Sequence, residues 1–254
     1  RKVNTLEELT SYAKQALTIS RNGKAIIEEF KEGKEIGIDC FVKDGHAHTI
    51  MTRHRRKIVS DKDSIQQIYG SFWPADIDEK ILEELKIISN GISKALQLIN
   101  TPLMIQAIVD DKEINVIEFA LRIGGGENSR IIELSTGFDI VDAAIDAFLG
   151  IPICLDCKQI SDYYADNLIY TKPAIFGYID GYEKLIQDNV IEYLIYLKTK
   201  GMTIGNDISS SNRVGAFVVK ASRIEELEEK INESLRIIEV YDINGSPIMR
   251  KDIY

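Results

Sequence analysis

The chain has 254 residues, 44% of them apolar and 28% charged, with a formal net charge of −9. That is the composition of an ordinary globular protein with enough chain for a sizeable core, and an acidic balance (pI ≈ 5.0) argues against a nucleic-acid grip. No apolar run approaches the ~18 residues of a membrane span, and the first residues, RKVNTLEEL, carry no signal-peptide pattern, so no membrane partner is expected. Cys40, Cys154 and Cys157 do not make a disulfide framework, which points to a reducing, cytoplasmic setting. Cys154-Leu-Asp-Cys157 has redox or zinc spacing, but with no second pair it reads as part of a connection after Pro152.

In chain order, Thr5-Leu-Glu-Glu8 is a capping box, and Leu6, Leu9, Ala13, Ala16 and Leu17 continue it at helical spacing until Asn22-Gly23. KAIIEEF (24–30) and EIGIDCFV (35–42) read as strands. Asp44-Gly45 is a hairpin turn into HAHTIMTRHRRKIV (46–59), a further strand. Tyr69–Pro74 reads as a loop, and 76–99 as a long helix with Ile81, Leu85, Ile88, Ile92 and Leu96 inward. LMIQAIV (103–109) and INVIEFALRI (114–123) read as paired strands, and Asp139–Leu149 as a helix closed by Gly150 and Pro152. After a looser stretch to Lys172 come a strand at 174–178, a helix at about 188–200 and the strand GAFVVK (215–220). A helix at 224–236 opened by the capping box Ser222-Arg-Ile-Glu225 follows, then the strand IIEVYDI (237–243), turning at Asn244-Gly245. The class is α+β, divided into residues 1–153 and 154–254.

Alternation along 116–123 puts Val116, Glu118, Ala120 and Arg122 on one face and the wholly apolar Ile117, Phe119, Leu121 and Ile123 on the other, the expected core face. If Asp111-Lys112-Glu113 form a three-residue loop, Gln106 sits opposite Glu118 on the polar face; a two-residue loop would put it opposite Ile117. Two oxygen ligands beside an arginine suit a Mg²⁺–phosphate site, and the glycines that follow let backbone N–H groups approach an anion. A solvated strand with an ordinary salt bridge is the competing interpretation.

Residues 24–42 together with INVIEFALRIGGGENSRIIELSTGFDIVDAAIDAFLG (114–150) resemble the ATP-grasp superfamily, in particular its carbamoyl phosphate synthase-like and amino-acid ligase-like branches. The resemblance implies an ATP-grasp C-terminal lobe, an antiparallel sheet with flanking helices, followed by a small C-terminal α/β subdomain. It further implies that Glu28, Glu29, Phe30 and Lys31 form the hinge that reads adenine and that Glu35 binds ribose. By the same likeness Gln106 and Glu118 hold Mg²⁺ (or Mn²⁺), and Arg122 faces the transferring phosphate. The family's E-x-N-x-R pattern is broken here, because Ala120 stands where an asparagine ligand is expected. Within TRHRRKIV (52–59), Arg55 and Lys57 are the expected phosphate contacts, with a solvated basic strand as the alternative; Gly124, Gly125, Gly126 and Arg130 would contact the substrate carboxylate. The lysine-bearing strand and Gly-rich loop that members bring to the phosphates do not precede the first helix here. This implies the C-terminal part of a longer ligase, a separated subunit or a fragment, inactive alone and a homodimer by family habit. The implied activity uses ATP to turn a small carboxylate into an acyl-phosphate for attack by an amine. A carbamoyl phosphate synthase-like subunit, or an ATP-binding module without turnover, is the alternative.

Overall fold

The computed structural model describes residues 1–58, 67–110, 113–206 and 209–254. Helix α1 (Leu6–Ile19) is capped by Thr5, whose hydroxyl accepts the Glu8 N–H while the Glu8 carboxylate reaches back, as the capping box predicts. Its half-buried Leu9, Ala13 and Ala16 face a hollow shared with residues 25–33. Residues 24–30 form no strand. The segment is irregular and exposed, so the alternating pattern there has no sheet neighbour to complete it.

β1 (Lys34–Lys43) and β2 (His46–Lys57) form the predicted hairpin. Asp44 and Gly45 both take positive φ (49° and 86°), the pair of left-handed residues that matches the twist of a tight hairpin. β3 (Ile68–Trp73) occupies the stretch read as a loop and pairs with β2. Asp78 caps α2 (Glu79–Ala95), which buries Ile81, Leu85, Ser89 and Ser93; Ile88 and Ile92 are half-buried and Leu96 is exposed at the C-cap. β4 (Thr101–Val109) and β5 (Ile114–Ala120) follow; Asp111 and Lys112 of the connecting loop lie outside the described residues, as does Val59. Gly126 leads into α3 (Asn128–Thr136), then α4 (Ile140–Leu149), capped by Asp139 and ended by Gly150 at φ 71°.

β6 (Tyr163–Ile169) lies in the stretch read as loose. β7 (Ala174–Asp180), α5 (Tyr182–Gln187), β8 (Tyr193–Tyr196), β9 (Thr203–Ile204), β10 (Gly215–Ala221), α6 (Ile224–Ile237) and β11 (Glu239–Asp242) complete the chain. β8 falls where a helix at 188–200 is expected: YLIY can answer either period, and pairing with β10 settles it. The Ser222 capping box does not form; the Ser222 hydroxyl bonds Glu226 and Arg223 takes the N-cap position.

Among the described residues one antiparallel sheet runs β5-β4-β1-β2-β3-β6-β10-β8, and a smaller one β11-β7-β9. The large sheet crosses residue 153 without a break. One of its faces is covered by α2 over Ile36, Ile38, Leu103 and Ile105; the other is covered in part by α3 and α4 over Phe41, Trp73, Tyr164 and Val218. The expected core face of β5 is not core. Ile117, Phe119 and Leu121 are each more than two-fifths exposed, because β5 is the sheet edge and the core cluster under α2 takes only Ile114 from it. Phe119→Ser should therefore change unfolding free energy by no more than ~0.5 kcal/mol, whereas Leu85→Ala should lose about 2–5 kcal/mol; urea melts of the two variants check this.

Candidate active site

The polar face of the sheet is assembled by register. Gln106 lies directly opposite Glu118, with an irregularity in the ladder just beyond it at Ala107. Glu35 on β1 is buried and holds three neighbours: Lys57 Nζ at 2.7 Å, Arg55 Nε at 3.3 Å, and the Gln106 side-chain amide, which donates to it. Arg55 also donates to Gln106 Oε1 at 3.3 Å. Burial, together with the neighbouring Arg53, lowers the Arg55 guanidinium from its ordinary value, and Glu35 opposes that shift. Thus Glu35, Arg55, Lys57, Gln106 and Glu118, proposed from separate motifs, lie on one continuous surface.

Beside it, α1 and residues 25–33 enclose an open hollow of about 870 Å³, with Glu28, Glu29, Phe30, Lys31, Glu35 and Lys57 on its wall. Lys31 bridges Glu29 (3.3 Å) and Glu113 (3.2 Å), and the Lys2 ammonium sits 4.1 Å from the centre of the Phe30 ring.

The glycine loop is built differently from the expectation. Gly124 is buried: a Cβ there would lie 2.3 Å from Asn128 Nδ2, 2.5 Å from Asp39 Oδ1 and 2.8 Å from an Arg53 guanidinium nitrogen. Only glycine fits. Gly125 and Gly126 are exposed and open, and Gly126 has φ 76°. The Arg122 guanidinium donates to the Ile123 carbonyl at 3.0 Å and forms no ion pair among the described residues. Arg130 stacks 3.7 Å above the centre of the Tyr193 ring, so its charge is held against an aromatic face, not presented to the glycines. Asn128 accepts from the Trp73 indole N–H at 2.9 Å, which commits its oxygen elsewhere than the place Ala120 leaves empty of a ligand.

Three features escaped the sequence. Arg53 and Asp39 form an ion pair at 3.0 Å, both almost wholly buried (3% and 1% exposed). Strand alternation did carry that signal, since Glu35, Gly37 and Asp39 of β1 and Arg53, Arg55 and Lys57 of β2 lie on one and the same face of the sheet, with Gly37 opposite Arg53. Asp166 and Tyr193 needed strands β6 and β8. In register, Arg55 pairs with Ser71, Ser71 with Asp166, Asp166 with Val218 and Val218 with Tyr193, so this row continues the polar face across the sheet. Burial pushes the Asp166 carboxyl up to about 6; the Ser71 N–H at 2.5 Å, Arg56 and Arg53 pull it down, and Glu127 pushes it up.

The sequence profile of the ATP-grasp domain matches residues 2–129. The chain belongs to the ATP-grasp family. It is 27% identical over 276 residues to the bifunctional purine biosynthetic protein purD of Dictyostelium discoideum, covering 92% of this chain and 32% of that one. It is 33% identical over 156 residues to the carbamoyl phosphate synthase large chain of a Thermoanaerobacter species, covering 59% and 13%. The crystal structure of an L-amino acid ligase from Bacillus licheniformis superposes with a TM-score of 0.79 at 19% identity, over 94% of this chain and 60% of that one, which establishes the shared fold. The ATP-grasp chain therefore spans between about an eighth and three-fifths of the length of these relatives.

Two outcomes follow from the buried charges. Removing one partner of the Arg53–Asp39 pair leaves a charge uncompensated, so Arg53→Met should lose about 3–5 kcal/mol in a denaturant melt. Asp166 has a folded-state pKa above its unfolded value, so the fold binds its proton more tightly and carries a cost above about pH 6 that fades as pH falls. Asp166→Asn should raise stability at pH 7.5 by on the order of 1–3 kcal/mol, with the gain vanishing by about pH 4; melts of the variant against the parent across that range read it out.

Proposed function

We propose that this chain supplies the nucleotide- and metal-facing part of an ATP-dependent ligase that activates a carboxylate as an acyl-phosphate for attack by an amine. Family membership supports ATP as the phosphoryl donor. The observation that carries the reading is the register match of Gln106 with Glu118, on the same face as Glu35, Arg55 and Lys57 and next to the hollow walled by residues 28–31.

In this reading the nucleoside lies in that hollow with its base against Phe30 and the backbone of 28–31, and Glu35 exchanges its bond to Lys57 for the ribose hydroxyls. Arg55 and Lys57, freed from Glu35, meet the phosphates. Gln106 and Glu118 fit Mg²⁺ or Mn²⁺ in donor chemistry: one amide oxygen and one carboxylate, with phosphate and water completing the sphere. Among the described residues no group of three or more His, Cys, Asp and Glu side chains forms a metal cluster, and Ala120 adds no ligand. The bound ion would offset the repulsion between carboxylate and triphosphate. A carboxylate oxygen attacks the γ-phosphorus as the bond to the β-phosphate oxygen breaks and ADP leaves. The amine nitrogen then attacks the acyl carbon, loses a proton, and inorganic phosphate departs. Arg122 swings from the Ile123 carbonyl to the transferring phosphate, where a placed arginine is worth roughly 10³-fold or more in rate. The exposed amides at Gly125 and Gly126 line the approach of the substrate carboxylate, with Arg130 at its margin. No serine or cysteine nucleophile is called on.

Ala120 favours one other reading, nucleotide binding without turnover. ADP release by the intact protein, assayed with Mg²⁺ and a panel of small carboxylates and amines, separates the two: carboxylate-dependent release is expected. Its absence, with ATP still bound in calorimetry, would leave the binding module. Arg122→Ala should cut turnover at least 10³-fold with ATP affinity changed less than threefold. Ala120→Asn should lower the Mg²⁺ concentration for half-maximal ADP release; an unchanged requirement would place residue 120 outside the metal shell.

A further inference from the structure

Helix α4 is apolar on both of its sides. Its inner side, Ile140 and Ala143 with Ala144 and Ala147, belongs to the core that holds Phe41, Trp73 and Ile132. Its outer side carries Val141, Ile145, Phe148 and Leu149 at positions i, i+4, i+7 and i+8, which is one continuous stripe. All four are exposed, Phe148 at 90% and Leu149 at 68%, and Ile151 extends the stripe just past the Gly150 cap. A helix that is apolar all round is ordinarily enclosed. Among the described residues nothing covers the outer side of this one. The other exposed apolar residues differ in kind: Ile87 is the one large apolar side chain exposed within α2, and Ile26, Ile27 and Phe30 wall the hollow beside α1.

The chemistry of the stripe decides what covers it. A lipid surface takes an amphipathic helix whose polar side is rich in lysine and arginine, and the polar residues of α4 are Asp142 and Asp146. The stripe offers no side-chain donor, acceptor or charge, so it holds nothing that singles out a partner of a different surface. A two-fold axis brings the same patch to both sides of an interface, and a patch that is apolar throughout is complementary to itself. The extent also fits. The exposed parts of these five side chains come to on the order of 500 Å². Two copies face to face would remove about 1,000 Å² from water, the size at which a specific interface begins.

We propose that α4 is the contact of a homodimer, in which two copies of this chain pack Val141, Ile145, Phe148 and Leu149 against the same residues of the other copy across a two-fold axis. Phe148, the most exposed of them, is the anchor, and the small Ala144 on one flank lets the two helices approach closely. Asp142 and Asp146 lie together on the other flank. In an antiparallel pair the two-fold axis puts the acids of both copies on one rim, where they repel each other and salt screens the repulsion. Such a dimer is held by apolar burial and opposed by charge. The stripe faces away from the sheet that carries Glu35, Gln106 and Glu118, so assembly needs no nucleotide.

Sedimentation equilibrium of the intact protein, over a concentration series in low and in high salt, tests this. A dimer is expected, with a dissociation constant that falls as salt rises. Phe148→Asp and Ile145→Asp should each raise that constant at least ~30-fold, as loss of a central anchor does. Phe148 touches little of its own chain, so its replacement leaves the monomer folded; should Phe148→Asp nevertheless fail to fold, Ile145→Asp carries the test. Ile87→Asp, at the exposed apolar residue of α2, is the control and should change the constant less than threefold. A monomer at every concentration would overturn the inference. So would a dimer that both α4 variants leave intact, one that Ile87→Asp disrupts equally, or one that dissociates in high salt. None of these outcomes touches the ligase reading, which calorimetric MgATP binding and ADP release address separately.

Discussion

The Arg53–Asp39 ion pair is the constraint on which the candidate site rests. Two charges almost wholly removed from water hold a cost of several kcal/mol each unless their geometry is good, and here they meet at 3.0 Å between adjacent strands β1 and β2. Both project onto the face that α3 and α4 cover, and the chain that links β5 to α3 must pass over them. It does so at Gly124, where no side chain fits between Asn128, Asp39 and Arg53. The Trp73 indole then fixes Asn128 at the start of α3. Loop path, helix start and the placing of Arg122 two residues upstream all follow from one buried pair.

The same sheet is continuous across residue 153, where the sequence suggests a division. β6 pairs with β3, and through β10 it carries the later strands onto the same sheet, while β7, β9 and β11 build a separate small one over their own core of Phe176, Ile179, Val240 and Ile248. The second half of the chain thus contributes twice. It closes its own core, and it extends the polar face by Asp166 and Tyr193, so the row that begins at Arg55 on β2 ends at β8.

What was legible in the sequence is what local spacing determines. The capping box at Thr5, the Asp44-Gly45 turn and the Asp139 helix start are short-range hydrogen-bond and dihedral signals, and each stands as read. The match of Gln106 to Glu118 stands, but for another reason than the loop length: beside the loop Val109 faces Ile114, the register that would carry Gln106 opposite Ile117, and the irregularity between Gln106 and Ala107 shifts the pairing to Glu118. What was not legible depends on distant partners. The segment 24–30 has strand composition and no neighbour; YLIY becomes a strand only because β10 is beside it; Tyr163–Ile169, with Asp166 and Asn167 inside it, lies in a stretch of loose composition and is a strand because β3 and β10 flank it. The apolar face of β5 shows the opposite error. Its pattern is that of a core strand, but burial is set by what covers the sheet, and over Phe119 and Leu121 the cover has ended.

The charge balance around Gln106 and Glu118 constrains the proposed role of that pair. Glu35 is already balanced by Arg55 and Lys57, Gln106 is neutral, and Ala120 faces Met104 with no donor, so of the carboxylates in this register row Glu118 alone has no ion pair among the described residues. In the proposed ligase reading, a divalent ion drawn by so little protein charge would take most of its attraction from the triphosphate, and metal and nucleotide would arrive as one ligand. The same balance explains why Glu35, and not Glu118, is the carboxylate that the hollow beside α1 holds in a fixed position: two cations and an amide already surround it before any ligand enters.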